Sequence, residues 1–134
     1  MVADGTILDR AVGLWEKAQV LYATPTQSPE LPAPLAVAQR IAGEYPQFHD
    51  ALVSLLSSPQ QLVVAYALMT LRMMNSPILA EVSDELLNRR EKVTIAAGCF
   101  VNSMDLGGLA RQYRKEAIRR AAANRSPATD RPRE

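Results

Sequence analysis

The feature that most constrains this chain is a run of apolar residues near its middle. From Leu62 to Met69 all eight residues are apolar, and the pattern continues after Thr70 to Met74. A helix made from this run has no polar face, so it must be surrounded by protein on every side. With 134 residues, the chain is long enough to bury such a helix in one core.

Serine–proline pairs lie on both sides of this run and set its predicted boundaries. A serine oxygen before a helix accepts a backbone amide that has no partner inside the helix, and a proline in the first turn has no amide to satisfy. Ser58 and Pro59 therefore predict the start of a central helix. Ser76 and Pro77 predict its end near Asn75.

Apolar residues spaced three and four apart predict further helices on either side of the central one. These helices cover residues 5–23, Pro34 to Tyr45, 47–57, a short segment from Asp84 to a break near Arg90, and Ser103 to Ala122. A longer helix from Asp84 to Val101 is the alternative to the short segment. No stretch shows the alternation of a half-buried strand, so we predict an all-α fold, a compact bundle of six or seven helices.

We predict one helical domain over residues 1–122, followed by a disordered tail at 123–134 that has no core-forming residue. A connector at residues 24–33 joins the first helix to the second. It is rich in proline, which fixes the backbone and removes amide donors, so we expect it to be extended. The first helix is then tethered to the domain rather than tightly hairpinned.

The segment from Leu52 to Arg90 repeats an order of helix, tight turn and Ser-Pro. Its central part, LLSSPQQLVVAYALMTLRMM, resembles the second half of a HEAT or armadillo-like helical repeat, in which small residues let neighbouring helices pack closely. The resemblance implies stacked helical hairpins with a groove that binds another protein, or less often nucleic acid. Such arrays need about three repeats to be stable, and one is recognisable here, so a compact orthogonal bundle is the alternative.

The compartment is predicted from cysteine usage and hydropathy. A single cysteine, Cys99, allows no intrachain disulfide, and the N-terminal segment lacks the basic and apolar parts of a secretory signal. The longest apolar run is shorter than the about 20 residues that a membrane-spanning helix needs. We therefore expect a cytoplasmic protein with no membrane partner.

Residues with catalytic potential are sparse. His49 is the only histidine and lacks a second nitrogen or sulfur ligand, or a nucleophile near it in sequence, so we expect a surface or boundary residue. Cys99 fits a small buried hydrophobe. Gly107 and Gly108 complete no phosphate loop, so we expect them to let two helices approach closely. We predict no catalytic or metal-binding residue, no cofactor and no enzymatic activity.

The strongest functional signal is electrostatic. Residues 1–103 contain seven Lys or Arg and ten Asp or Glu, whereas residues 104–134 contain eight and four. Five cations are predicted on the outer side of the last helix, Arg111, Arg114, Lys115, Arg119 and Arg120. Tyr113 and Ile118 are predicted to point inward. Such a strip fits contact with phosphates or an acidic partner, and a simple solvated face is the alternative.

These observations favour a non-enzymatic helical protein–protein interaction module or adaptor. Its partner would be another protein or a second copy of the chain, bound through an apolar patch or groove beside the central helix. Leu8, Trp15 and Tyr22 of the tethered first helix form the candidate groove or homo-oligomer face, because such a helix can cover a groove or exchange between protomers. Nucleic-acid binding through the basic last helix is the alternative function.

Overall fold

A computed structural model describes residues 2–22, 32–97 and 100–130 of the chain. Within these ranges the protein is predominantly helical and contains one small three-stranded sheet. The elements are α1 (Val2–Lys17), β1 (Leu21–Tyr22), α2 (Ala33–Glu44), α3 (His49–Leu55), α4 (Gln61–Met73), α5 (Asp84–Leu87), β2 (Lys92–Ala97), β3 (Phe100–Asp105) and α6 (Leu106–Asp130). Short 3-10 helices at Pro46–Phe48 and Pro77–Glu81 precede α3 and follow α4.

Helix α4 is the central element, and every residue from Val63 to Leu71 is buried. Helices α1, α2, α3 and α6 pack around it together with strands β1 and β2. The buried hydroxyl of Thr70 donates from Oγ1 to the carbonyl of Tyr66 at 2.7 Å, so burial leaves this group satisfied. The prediction of a central helix buried on all sides is confirmed.

The start of α4 differs slightly from the prediction. Ser58 Oγ accepts the amide of Gln60 at 3.1 Å, which caps the turn before the helix rather than the helix itself. Gln60 is extended, with φ −86° and ψ 112°, and the helix begins at Gln61. The serine–proline signal therefore marks the turn correctly but places the first helical residue too early.

The end of α4 is fixed by a left-handed residue. Asn75 has a φ of 57°, and the amide of Ser76 donates back to the carbonyl of Leu71 at 3.0 Å. This is the hydrogen-bond pattern of a Schellman motif, in which Asn takes the position usually held by Gly. Ser76 Oγ then accepts the amide of Ile78 at 3.2 Å and begins the next 3-10 helix. The predicted end near Asn75 is confirmed.

Tyr66 on α4 organises the chain that follows α1. Its ring stacks on Trp15 with centroids 5.7 Å apart and planes 3° apart. Its hydroxyl donates to the carbonyl of Val20 at 2.6 Å and accepts the amide of Tyr22 at 3.1 Å. Trp15 Nε1 in turn donates to the carbonyl of Pro34 at 3.2 Å, which links α1 to α2.

These bonds explain why the first helix is shorter than predicted. The sequence pattern runs to residue 23, but α1 ends at Lys17. Leu21 and Tyr22 instead form β1, which pairs in parallel with Ile95 and Ala96 of β2. Residues 24–31 of the predicted connector, which spans residues 24–33, lie outside the described residues.

The prediction of an all-α fold is wrong in one respect, because Lys92–Ala97 and Phe100–Asp105 form two antiparallel strands. The register runs from Lys92 opposite Asp105 to Ala97 opposite Phe100. The Lys92 and Asp105 side chains form an ion pair at 2.8 Å across the strands. In β2, Val93 and Ala96 are buried and the two residues between them are half-buried, so burial does not alternate strictly along the strand.

Helix α5 is short, as the sequence indicates. Ser83 Oγ accepts the amide of Leu86 at 3.2 Å and caps its start. The helix ends at Leu87, and the chain turns through Arg89 toward β2. Arg89 donates to the carbonyl of Ser58 at 2.7 Å, so this turn is bonded to the turn that precedes α4.

The first turn of α6 lies against this turn. The amide of Gly107 donates to the carbonyl of Arg89 at 2.8 Å. A Cβ atom at position 107 would overlap the carbonyl oxygen of Leu87 and stand 2.8 Å from that of Arg89. At Gly108 a Cβ atom would meet nothing within 4 Å. The predicted close approach is therefore confirmed for Gly107, which lies against the end of α5 and the turn that follows it.

The last helix begins at Leu106, because Ser103 belongs to β3, and it continues to Asp130 rather than Ala122. The predicted tail thus begins inside this helix, and residues 131–134 lie outside the described ranges. Ile118 is 47% exposed, so its predicted inward orientation is wrong. Ala117, one position earlier, takes the buried place.

The glycine pair provides a matched stability test. We expect Gly107→Ala to lower the free energy of unfolding by at least about 2 kcal/mol, because backbone carbonyls would have to move. We expect Gly108→Ala to leave it unchanged or raise it by up to about 1 kcal/mol, because alanine favours a helix. Urea unfolding measures both. Equal effects of the two substitutions would contradict the described contact.

Two buried tyrosines make the stability of the fold depend on pH in the alkaline range. Burial raises the pKa of Tyr66 from 10.0 to about 12, against a smaller lowering by the Tyr22 amide, and it raises the pKa of Tyr113 to about 12 as well. The pKa of each phenol is higher in the folded protein than in the unfolded chain, where it is 10.0. The neutral phenols therefore contribute their full stability below pH 10.0, and this contribution is lost as the pH rises toward 12. Each tyrosine contributes at most about 3 kcal/mol of this loss.

We therefore expect urea unfolding to show a falling stability across this alkaline range. Tyr113→Phe should flatten the decline without removing a described hydrogen bond. Tyr66→Phe should flatten it too, but from a lower starting stability. A decline that is identical in the wild type and in both variants would show that neither phenol is responsible.

Candidate functional site on helix α6

Helix α6 separates a buried side from an exposed side. Between residues 106 and 123, its buried apolar side chains are Leu106, Leu109, Ala110, Tyr113 and Ala117. These positions recur every three or four residues, so they form one stripe facing the core. The opposite side of the helix faces solvent, and it carries the predicted cations.

Four of the five predicted cations lie together on that exposed side. Arg111, Arg114, Lys115 and Arg119 are exposed, and Arg120 is half-buried at the boundary with the core stripe. Among the described residues, no hydrogen bond or ion pair occupies Arg114, Lys115 or Arg119, while Arg111 donates to Asn88 Oδ1 at 3.3 Å. The structure thus brings most of the predicted strip onto one surface.

Ile118 lies in the middle of these cations. At about 100° per residue, it falls between Arg114 and Arg111 around the helix axis, with Lys115 and Arg119 beyond. Its exposure of 47% makes it one of two large hydrophobic side chains among the described residues that are notably exposed. We call the surface formed by Arg111, Arg114, Lys115, Ile118 and Arg119 the α6 face.

Glu116, the acid nearest to the α6 face in sequence, is turned away from it. Its Oε1 accepts from Arg72 Nε of α4 at 2.7 Å, and it is half-buried. The same hydrogen bond raises the pKa of Arg72, whose guanidinium also stands 5.4 Å from the centre of the Tyr113 ring. Glu116 therefore neutralises Arg72 and leaves the charge of the α6 face unbalanced by any described acid on it.

An open hollow adjoins the α6 face where α4 ends. It has a volume of about 470 Å³ and is lined by Arg72, Glu116, Arg119, Arg120 and Ala123. It lies at the end of the central helix, and an apolar groove is predicted beside that helix. Its lining is mainly charged, so it extends the basic surface rather than providing an apolar groove.

The predicted groove or oligomer face on α1 is used within the domain. Trp15 is fully buried under its stack with Tyr66, and Leu8 and Tyr22 are half-buried against the same core. These three side chains hold α1 and β1 in place on α4. An exchange of α1 between protomers stays a prediction, and it would have to rebuild these contacts in the partner.

The structure also brings His49 next to Ser76, which is distant in sequence. His49 Nε2 lies 2.5 Å from Ser76 Oγ, and its Nδ1 lies 3.4 Å from Asp50 Oδ1. Although these residue types match a hydrolytic triad, Ser76 is only 3% exposed and its oxygen already accepts the Ile78 amide. The Asp50 carboxylate lies fully in solvent. The arrangement therefore anchors α3 to the turn after α4.

Other chemistry has little support in the described ranges. No group of three His, Cys, Asp or Glu residues there is placed to hold a metal ion, and Cys99 lies outside them. No helix in the described part of the chain is both long and apolar enough to cross a membrane. Comparison with known proteins identified no matching family model, curated protein or solved structure. The resemblance to a HEAT-like repeat stays a prediction.

Ser76 gives a test of the structural role of its contact with His49. We expect Ser76→Ala to lower the free energy of unfolding by about 1–2 kcal/mol, because the Ile78 amide loses its cap. His49→Ala should cost about 1 kcal/mol, and less when Ser76 is already alanine, because the two side chains share one hydrogen bond. Urea unfolding of the two single variants and the double variant measures this coupling. Strict additivity would contradict the described bond.

Proposed function

We propose that this protein is a non-enzymatic interaction module that binds an acidic protein segment through the α6 face. The observation that carries the proposal is the grouping of four exposed cations around an exposed Ile118. No described acid belongs to that face, and the neighbouring Glu116 forms an ion pair with Arg72 of α4. The composition of the face therefore complements a segment with an apolar residue between acids.

Ile118 favours a protein partner over a nucleic acid. Burying apolar surface contributes about 25 cal/mol per Å², so an exposed isoleucine is most useful against another apolar side chain. A phosphate backbone offers charges and little apolar surface at that point. A protein segment offers both, and its acidic side chains can pair with Arg114, Lys115 and Arg119.

The size of the face indicates a modest affinity. From Arg111 to Arg119 the helix rises about 12 Å, which accommodates about two turns of a partner helix or a short extended segment. Interfaces of this size belong to the small, transient class. Long-range attraction between the basic face and an acidic segment should speed association, and that attraction weakens as salt is added.

Nucleic acid is the second candidate partner, and the row of Arg111, Lys115 and Arg119 favours it. These three residues are spaced by one helical turn each, so they can contact successive phosphates. The α6 face has no exposed aromatic residue among its described members, which argues against stacking on single-stranded bases. Binding to double-stranded DNA or RNA would then be independent of sequence.

Two synthetic peptides of equal negative charge provide the test. One carries a leucine between its acidic residues, and the other carries a serine there. We expect the leucine peptide to bind more tightly, because it covers Ile118, and Ile118→Ser to bring the two affinities together. Fluorescence anisotropy at several salt concentrations measures both affinities, along with that of a double-stranded DNA of similar length.

Charge reversal supplies the matched control. Arg114→Glu with Lys115→Glu should weaken peptide binding by at least about tenfold, which corresponds to about 1.4 kcal/mol. Arg10→Glu with Lys17→Glu makes the same change in net charge on α1, where both residues are exposed, and should have a much smaller effect. Equal effects of the two double variants, or no peptide binding, would contradict the proposal. Tight DNA binding that ignores Ile118→Ser would favour the second candidate.

A further inference from the structure

The small sheet has one long free edge. Its strand order is β1-β2-β3, so β2 lies in the centre and β3 has no described strand on its outer side. The other edge is β1, which is only two residues long, whereas β3 has six residues. Native proteins usually protect a long edge strand, because its unpaired amides and carbonyls invite another strand.

The pairing pattern shows which backbone groups of β3 point outward. In an antiparallel pair, hydrogen-bonded and non-hydrogen-bonded positions alternate along the strand. The Leu106 amide donates to the carbonyl of the opposite residue, Glu91, at 2.8 Å, so that position is hydrogen-bonded. Every second residue before Leu106 is hydrogen-bonded to β2 in the same way, so the amide and carbonyl of Asn102 face β2. Val101 and Ser103 therefore direct their amides and carbonyls away from the domain.

The side chains of β3 leave this edge almost unprotected. Val101 is 71% exposed, and residues 101–104 contain no charge and no proline. Within residues 101–104 the described protective contact is local, because Asn102 Oδ1 accepts the outward amide of Ser103 at 2.9 Å. An amide that bonds to the adjacent side chain can exchange that bond for one to another strand.

We propose that β3 pairs with β3 of a second copy of this chain, antiparallel about a two-fold axis. The uncharged residues 101–104 fit a second copy, because no like charges oppose each other across the axis. Asp105 of each chain is held by its own Lys92 at 2.8 Å, and the antiparallel arrangement sends these two ion pairs to opposite ends of the interface.

The resulting six-stranded sheet also accounts for the length of β1. Its order would be β1-β2-β3-β3-β2-β1, and its two outer edges would be strands of two residues each. Very short edge strands are one of the ways in which proteins prevent further pairing. Association would therefore stop at a dimer. The β3 edge and the α6 face have no residue in common, so a dimer would present two copies of that face.

Ser103→Pro is the sharpest test, because it removes the outward amide and leaves the ladder between β2 and β3 intact. Analytical ultracentrifugation should show the wild type forming dimers as its concentration increases, and Ser103→Pro remaining a monomer. Val101→Lys places a charge on the same edge without altering the backbone, and it should weaken dimerisation by at least about tenfold. Circular dichroism confirms that each variant is folded.

Asn102→Val tests the inference in the opposite direction. It frees the Ser103 amide and adds a β-branched residue, so we expect it to tighten dimerisation severalfold. A wild type that stays monomeric up to about 1 mM would overturn the proposal, since that concentration detects association as weak as about −4 kcal/mol. Dimerisation that is unchanged by both Ser103→Pro and Val101→Lys would also overturn it, because the dimer would then use another surface.

Discussion

The burial of α4 on all sides is the constraint on which the rest of the structure depends. From Val63 to Leu71 the helix exposes essentially nothing, so four helices and two strands must cover it. Each large aliphatic side chain so buried contributes roughly 1.5–3 kcal/mol, which is opposed by the entropy of ordering the covering elements. Tyr66 extends this control outward, because its hydroxyl fixes the chain at Val20 and Tyr22 and thereby positions β1 against β2. The position of the sheet thus depends on one side chain of the central helix.

Local signals in the sequence located the helices, missed several of their ends and missed the sheet. The all-round apolar run, the Ser83 cap and the close approach at Gly107 are properties of a few neighbouring residues, and the structure confirms them. The end of α1 depends on Tyr66, which lies 44 residues beyond Tyr22, so no local pattern reveals it. The pairing of β2 with β3 was missed because Val93 and Ala96, the buried residues in the described part of β2, are three positions apart, which is the spacing of a helix face.

The candidate site divides in the same way. The cations of the α6 face were predictable, since their spacing along one helix places them on one side. The same spacing places Ile118 between Arg111 and Arg114 on the outer side, so its predicted inward orientation is inconsistent with the helical geometry of the predicted cations. The pairing of Glu116 with Arg72 joins two helices 44 positions apart, and the contact between His49 and Ser76 spans 27 positions. The first contact leaves the charge of the α6 face unbalanced, and the second gives His49 a structural role.

The central claim is that the α6 face is a contact surface for an acidic, partly apolar protein segment. Nuclear magnetic resonance tests it most directly, by following backbone amide and Ile118 methyl signals while a leucine-centred acidic peptide is added. We predict saturable shifts concentrated between residues 111 and 119, centred on Ile118 and reduced by added salt. Shifts confined to other parts of the chain, or an unchanged Ile118 methyl signal at saturation, would contradict the claim.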